Sequence, residues 1–310
     1  MGQEAYERAK AFSDTKLKEL RHSLAGTLPD NAAVITFGSY ARREASPQSD
    51  IDYIVLNRDP SQIDSQLLSA TGDSIGKIVE LAPSEGGAFA KSVTRAELLT
   101  NVGGNNDTNE NLTRRLLLML EGEWLTNGDE FKSLRSDLIS LYIKATPRDH
   151  QLALFLLNDI IRYWRTMTVD YMYKTTEDTK PWGIRNIKLI FSRKLMYASG
   201  LFSVGLTADK SEHAKHETLS SLFDLPALER IVEICGSGNA ARIKSSYNCF
   251  LDYMESAENR SKLKSVAQGN HDDPIFREIK NEGHNFTRQL LSAFESVFHG
   301  THPIRRAVIF

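Results

Sequence analysis

Cysteine is scarce: Cys235 and Cys249 are the only two in 310 residues. Two are too few for a disulfide framework, and alone they cannot complete a tetrahedral zinc site. What they leave is a pair of buried thiols in a reducing, cytoplasmic setting. No apolar run approaches the roughly 20 residues that a bilayer-spanning helix needs, so no membrane insertion is expected. The opening MGQEAYERAKAF has no apolar segment and no cleavage pattern, which argues against a secretory signal. Tyr6 stands where a myristoylation site would carry Ser or Thr. An excess of one charge is missing too, with 38 Lys and Arg against 40 Asp and Glu. A chain that grips long duplex DNA through many phosphates is more basic than this. Small anionic ligands stay open, because a local cluster of cations suffices for them. The eight histidines are scattered, no Ser-His-Asp arrangement is recognisable, and GGNNDTN (103–109) lacks the Gly-Lys-Ser/Thr ending of a Walker loop.

What is present divides the chain in two. Residues 4–25 read as a polar amphipathic helix, 32–37 (AAVITF) as a buried strand, and 50–56 (DIDYIVL) as the next strand. A helix over 61–71 and a third strand over 77–82 (KIVELA) follow, then a loop at Pro83 and Gly86-Gly87. From about residue 94 the pattern is helical, with helices expected at 111–121, 129–144, 149–175, 183–199, 217–234, 239–256 and 274–298. A connector over 203–216 and a polar loop over 259–273 separate some of them. The expected class is α+β: a small mixed sheet in a catalytic domain over 1–125, and a helical domain over 126–310.

The stretch TFGSYARREASPQSDIDYIVL (36–56) carries the chemistry. Residues two apart on a strand point the same way, so Asp50 and Asp52 share a face, with Ile51 and Tyr53 on the other. Two neighbouring carboxylates repel unless a cation sits between them, and magnesium prefers oxygen ligands while keeping phosphate oxygens in its shell. Gly38 lets the chain turn sharply after the first strand. Ser39 can cap the helix that follows, whose free N–H groups suit a phosphate. A phosphate cradle facing a two-carboxylate site is the layout that two-metal phosphoryl transfer requires.

GSYARREASPQSDID resembles the Gly-Ser and Asp-x-Asp pattern of the DNA polymerase β-like nucleotidyltransferase superfamily. The stretches GGAFA, GGNNDTNENLTRRLLLMLEG, FLLNDIIRYWRTMTVDYMYK and WGIRNIKLIFSRKLMYASGL are similar to a family of bacterial nucleotidyltransferase domain proteins related to uridylyltransferases. This likeness spans residues 34 to about 202. It implies transfer of a nucleoside monophosphate from a nucleoside triphosphate to a hydroxyl, with two Mg2+ or Mn2+ ions and release of pyrophosphate. The acceptor would be a nucleotide or oligonucleotide, made without a template as relatives do in phage defence, or a hydroxyl of a partner protein. A non-catalytic module that senses a nucleotide, and an enzyme that adenylylates an antibiotic-like hydroxyl, are the competing readings.

The resemblance also implies a third carboxylate on a neighbouring strand, for which Glu80 is the first candidate and Asp107 the second. Gly38, Ser39 and Arg42 would meet the triphosphate. Asp107, Thr108 and Arg114 would form a loop for ribose, base or phosphate, with a plain helix cap at Thr108 or Asn109 as the alternative. Arg185, Lys188 and Ser192 share a helix face by spacing, and on the family pattern would neutralise the leaving pyrophosphate. Asp159, Arg162 and Arg165 read as a structural ion-pair network within an aromatic helix, with nucleobase stacking by Tyr163 or Trp164 as the alternative.

Overall fold

The computed structural model describes residues 3–59, 61, 63–81, 89–144, 150–177 and 180–309. The chain forms two compact units, Arg8–Ala145, and Thr146–Phe310 together with Met1–Glu7. Among the described residues, no helix is long and apolar enough to cross a membrane.

The first unit is built on a four-stranded mixed sheet in the order β3-β2-β1-β4. Strand β1 (Ala32–Phe37) is antiparallel to β2 (Asp52–Asn57) and to β4 (Glu123–Trp124), while β3 (Ser92–Thr94) runs parallel to β2. The unbroken apolar run of β1 has a simple cause: every residue of it is buried, as expected of a strand covered on both faces. On one face, Leu17, Leu20 and Leu24 of α1 (Ala5–Leu24) join Val34, Tyr53, Val55 and Ile75 of α3 (Ser65–Gly76) in one core. Ala33, Ile35, Ile54 and Leu56 alternate with these and are also fully buried. Helix α6 (Gly128–Lys144) packs on β1 and on α5 (Asn109–Leu120), and a short α4 (Arg95–Leu99) follows β3 directly. Because α6 covers the sheet, the compact unit runs past residue 125 to Ala145.

The strand expected at 77–82 does not form over its described residues. Helix α3 ends at Gly76, and the N–H groups of Ile78 and Val79 turn back onto the Ile75 carbonyl. Val79 still reaches the core from this turn, so the apolar pair Ile78-Val79 that reads as strand is satisfied as a helix exit. The third strand comes later, at the β-branched Val93-Thr94 pair. Residues 82–88, which include Pro83 and most of GGAFA, lie outside the described residues.

The second unit is helical: α7 (Leu154–Thr176), α8 (Trp182–Lys188), a π-helical turn Leu189–Arg193, α9 (Lys194–Gly205), α10 (Glu212–Phe223), α11 (Ala227–Glu255), α12 (Ala257–Ser265), α13 (Pro274–Val297) and α14 (Pro303–Ala307). Phe191 stacks on Phe250 and Phe286 at 4.8 and 5.1 Å, locking α11 and α13 around the π turn. Two expectations change here. Pro226 cannot continue a helix, so the helix expected over 217–234 is split into α10 and α11. The polar stretch after 259 is partly helical in α12, which buries only Leu263.

Candidate active site

The Gly-Ser segment and the aspartates meet through the register of β1 and β2. Phe37, the last residue of β1, pairs with Asp52, the first of β2, and the Thr36 hydroxyl donates to the Asp52 carbonyl at 2.9 Å. The chain then turns at Gly38, whose φ of +73° is left-handed. A Cβ there would stand 3.6 Å from Asp52 Oδ2. Glycine therefore serves twice, permitting the turn and keeping the carboxylate's flank open. Ile51 and Tyr53 are buried in the core while Asp50 and Asp52 stay half-buried outside it, as the expected alternation requires. Asp50 precedes the strand rather than lying on it. Its charge acts on the Tyr40 phenol, which burial first and Asp50 second push up to about 12.

That phenol gives an alkaline test. Folded Tyr40 holds its proton more tightly than the unfolded chain, whose ordinary value is 10. It thus contributes stability that is fully present below pH 10 and is lost as pH rises toward 12. Unfolding titrations should show this loss in the native chain and a smaller one in Tyr40→Phe.

The turn itself is shorter than the sequence suggests. Helix α2 is a single turn, Gly38–Ala41, with Phe37 at its N-cap and no side-chain cap. Ser39 sits inside it and does not cap it. The Gly38 N–H is already engaged: it donates to Glu121 Oε1 at 3.1 Å. Glu121 Oε2 accepts from Arg42 Nη1 at 2.5 Å, and Arg42 Nε donates to Glu44 at 2.9 Å. All three side chains are buried. Arg42, expected to meet the nucleotide, is instead a buried strut between two carboxylates. Glu121 is the residue that sequence reasoning missed: from the end of α5 it fixes both ends of α2. Glu121→Gln, which keeps an acceptor but loses the charge facing Arg42, should cost about 1–2 kcal/mol in chemical denaturation.

The other expected site residues separate into two groups. Asp107 accepts two hydrogen bonds from Arg115, both at 2.8 Å, and one from the Gly103 N–H. Arg115 is fully buried and also donates to the Tyr142 hydroxyl. Asp107 is thus a partner in a buried ion pair. Thr108 is the N-cap of α5, accepting from the Asn111 N–H, and Arg114 is buried and paired with Glu110 at 2.5 Å. Glu80 follows α3 on an exposed segment, not on a strand. Among the described residues, no third His, Cys, Asp or Glu joins the two aspartates in a group able to hold a metal.

The remaining candidates belong to the second unit. Arg185 and Lys188 lie on α8. Ser192, in the π turn, is buried and donates its hydroxyl to the Lys188 carbonyl one turn earlier. Asp159 pairs with Arg162 at 3.8 Å, and Trp164 stacks on Tyr197 at 5.0 Å, which uses that ring internally.

A strand, a left-handed Gly-Ser turn and a second strand opening on aspartate thus form one local unit. Residues 17–91 match the family model described as a nucleotidyltransferase domain, consistent with the polymerase β-like superfamily. No curated protein matches the chain. Domains of this class move a nucleoside monophosphate from a nucleoside triphosphate and typically use divalent metal. The residues present suit such an ion: two carboxylates with hard oxygen donors, one of them with a buried Oδ1 and a flank kept clear by Gly38.

Gly38→Ala should show the value of that opening. The left-handed φ costs an L-residue about 1–2 kcal/mol, and the new methyl would face Asp52. Melting temperature should fall modestly and nucleotide affinity more sharply.

Proposed function

We propose that this protein transfers a nucleoside monophosphate from an NTP or dNTP to a hydroxyl and releases pyrophosphate, without a template. The acceptor in this reading is a nucleotide or short oligonucleotide, and phage defence is the setting in which such products are used. A hydroxyl on a partner protein is the alternative acceptor. The single observation that supports the reading best is the pairing of Phe37 with Asp52, which brings the Gly38–Ser39 turn beside the carboxylate.

Asp50 and Asp52 would hold the magnesium or manganese ions, which when bound supply positive charge against the triphosphate. The Ser39 hydroxyl, half-exposed on α2, donates to a phosphate oxygen. Gly38 lets that phosphate approach, and Glu121 with Arg42 keeps the turn rigid, so little reorganisation is needed when the nucleotide arrives. The whole arrangement draws on the first unit.

A second reading is favoured by one observation, the absence of a third acid beside the pair among the described residues: the site would bind a nucleotide without turning it over. Pyrophosphate release from each NTP and dNTP with Mg2+ or Mn2+ separates the two. Release that disappears in the Asp50→Ala/Asp52→Ala variant supports transfer. Nucleotide binding with no release supports the sensing module.

A further inference from the structure

Helix α7 buries one face and carries an apolar stripe on the other. Leu156, Ile160, Tyr163, Tyr171 and Thr175 are buried. On the opposite side Val169, Met172 and Tyr173 are 68%, 51% and 57% exposed. Their spacing of three and four residues sets them side by side on the helix surface. Half-buried Thr166 and exposed Thr176 continue the stripe at its two ends. Single exposed apolar side chains are ordinary, but three adjoining ones form a patch of the kind that marks an interaction surface.

The charges at the two ends of the stripe are opposite. Arg165 lies one turn before Val169 and Glu177 one turn after Tyr173, and both are exposed. Neither is in an ion pair among the described residues, whereas Asp170 and Lys174, on the flank of the helix, satisfy each other at 2.9 Å. A partner for this face must therefore offer an apolar stripe with an acid at one end and a base at the other. The same face in reverse does so. Tyr171 is six residues from both Arg165 and Glu177, five from both Thr166 and Thr176, and two from both Val169 and Tyr173. An antiparallel copy, related by a two-fold axis at the level of Tyr171, sets Arg165 against the partner's Glu177 and Val169 against the partner's Tyr173. Met172 then lies beside the axis.

We propose that two copies of this chain associate through α7 as an antiparallel, two-fold symmetric pair. Symmetry makes every contact twice. Burial of Val169, Met172 and Tyr173 supplies the affinity. The two ion pairs set the register and exclude the parallel arrangement, which would place Arg165 against Arg165 and Glu177 against Glu177. One helix face gives an interface at the small end of the range, under about 1,200 Å² in total, so the dimer is a weak one that dissociates on dilution.

Sedimentation equilibrium of the full chain, at loading concentrations from about 1 to 300 μM, which bracket a weak interface, tests this directly. The weight-average mass should rise from that of the monomer toward twice that value. Met172→Asp, which sets two carboxylates against each other across the axis, should abolish the rise. Arg165→Glu and Glu177→Arg should each weaken association roughly tenfold, and the double variant Arg165→Glu/Glu177→Arg should recover it, because both ion pairs re-form with their signs exchanged. The altered side chains are exposed, and circular dichroism of each variant checks that the helices are kept. A monomer at every concentration, as expected if another protein covers this face, would overturn the proposal. So would a dimer indifferent to Met172→Asp, or a double variant no better than the single ones. None of these outcomes depends on nucleotide transfer.

Discussion

Asp52→Asn should lower the rate of nucleotide transfer by about a hundredfold to a thousandfold, the usual effect of removing one charge-stabilising group from a preorganised site, while leaving the fold intact. The geometry explains the asymmetry. Asp52 opens β2 next to the left-handed turn, with one carboxylate oxygen buried and the other 3.6 Å from where a Gly38 Cβ would stand. Its backbone is held independently of its side chain, by the β1 register and by Thr36. The amide therefore replaces the carboxylate with little structural change. It also removes repulsion from Asp50, so the melting temperature should hold or rise. That combination, activity lost and stability kept, marks a group retained for chemistry at some cost to stability. A matching fall in both would instead make Asp52 a structural residue. Rates under saturating nucleotide and thermal melts of the same preparations decide between the two.

Asp107→Ala should behave in the opposite way. It deprives the fully buried Arg115 of its bidentate partner. Breaking a buried pair on one side costs about 3–5 kcal/mol, because the remaining charge loses its carboxylate in the interior. The Tyr142 hydroxyl, 3.2 Å from Arg115 Nε, is neutral and does not replace the carboxylate. Urea denaturation should reveal the loss. Below the transition, transfer per folded molecule should match the native chain. Activity that vanishes at unchanged stability would return Asp107 to the active site as an acid. Arg115→Met, which removes the cation and leaves Asp107 buried, should destabilise by a similar amount.

The readability of the sequence followed the range of the interactions involved. The motif from Thr36 to Asp52 was legible because it is local: alternation, a turn glycine and an apolar strand fix it within one hairpin-like unit. The family match over residues 17–91 covers the same region. Arg42 shows where local reading stops. Its sequence neighbours suggested a phosphate contact, yet its charge is spent on Glu44 and on Glu121, which arrives from the far end of α5. An acid closing an otherwise apolar helix, LLLMLEG, was the available signal, since a carboxylate placed there needs a partner when buried. Thr108 and Ser192 illustrate a related limit, because short hydroxyl side chains satisfy nearby backbone groups before they serve a ligand. The strand expected at 77–82 failed because a run as short as Lys-Ile-Val-Glu fits a helix exit and a strand equally well. The break of α11 at Gly236 falls in the gap between the helices expected over 217–234 and 239–256, while the two arms run on as one kinked element.

The most direct measurement follows two labels through one reaction. A nucleoside triphosphate labelled at the α- or the γ-phosphate is incubated with the full chain, divalent metal and the candidate acceptors. If Gly38, Ser39 and the two aspartates form a nucleotidyl transfer centre, the α-label should move onto an acceptor hydroxyl and the γ-label should leave as pyrophosphate. A γ-label found on the acceptor, or released as orthophosphate, would contradict that account, as would a nucleotide that binds and keeps both labels.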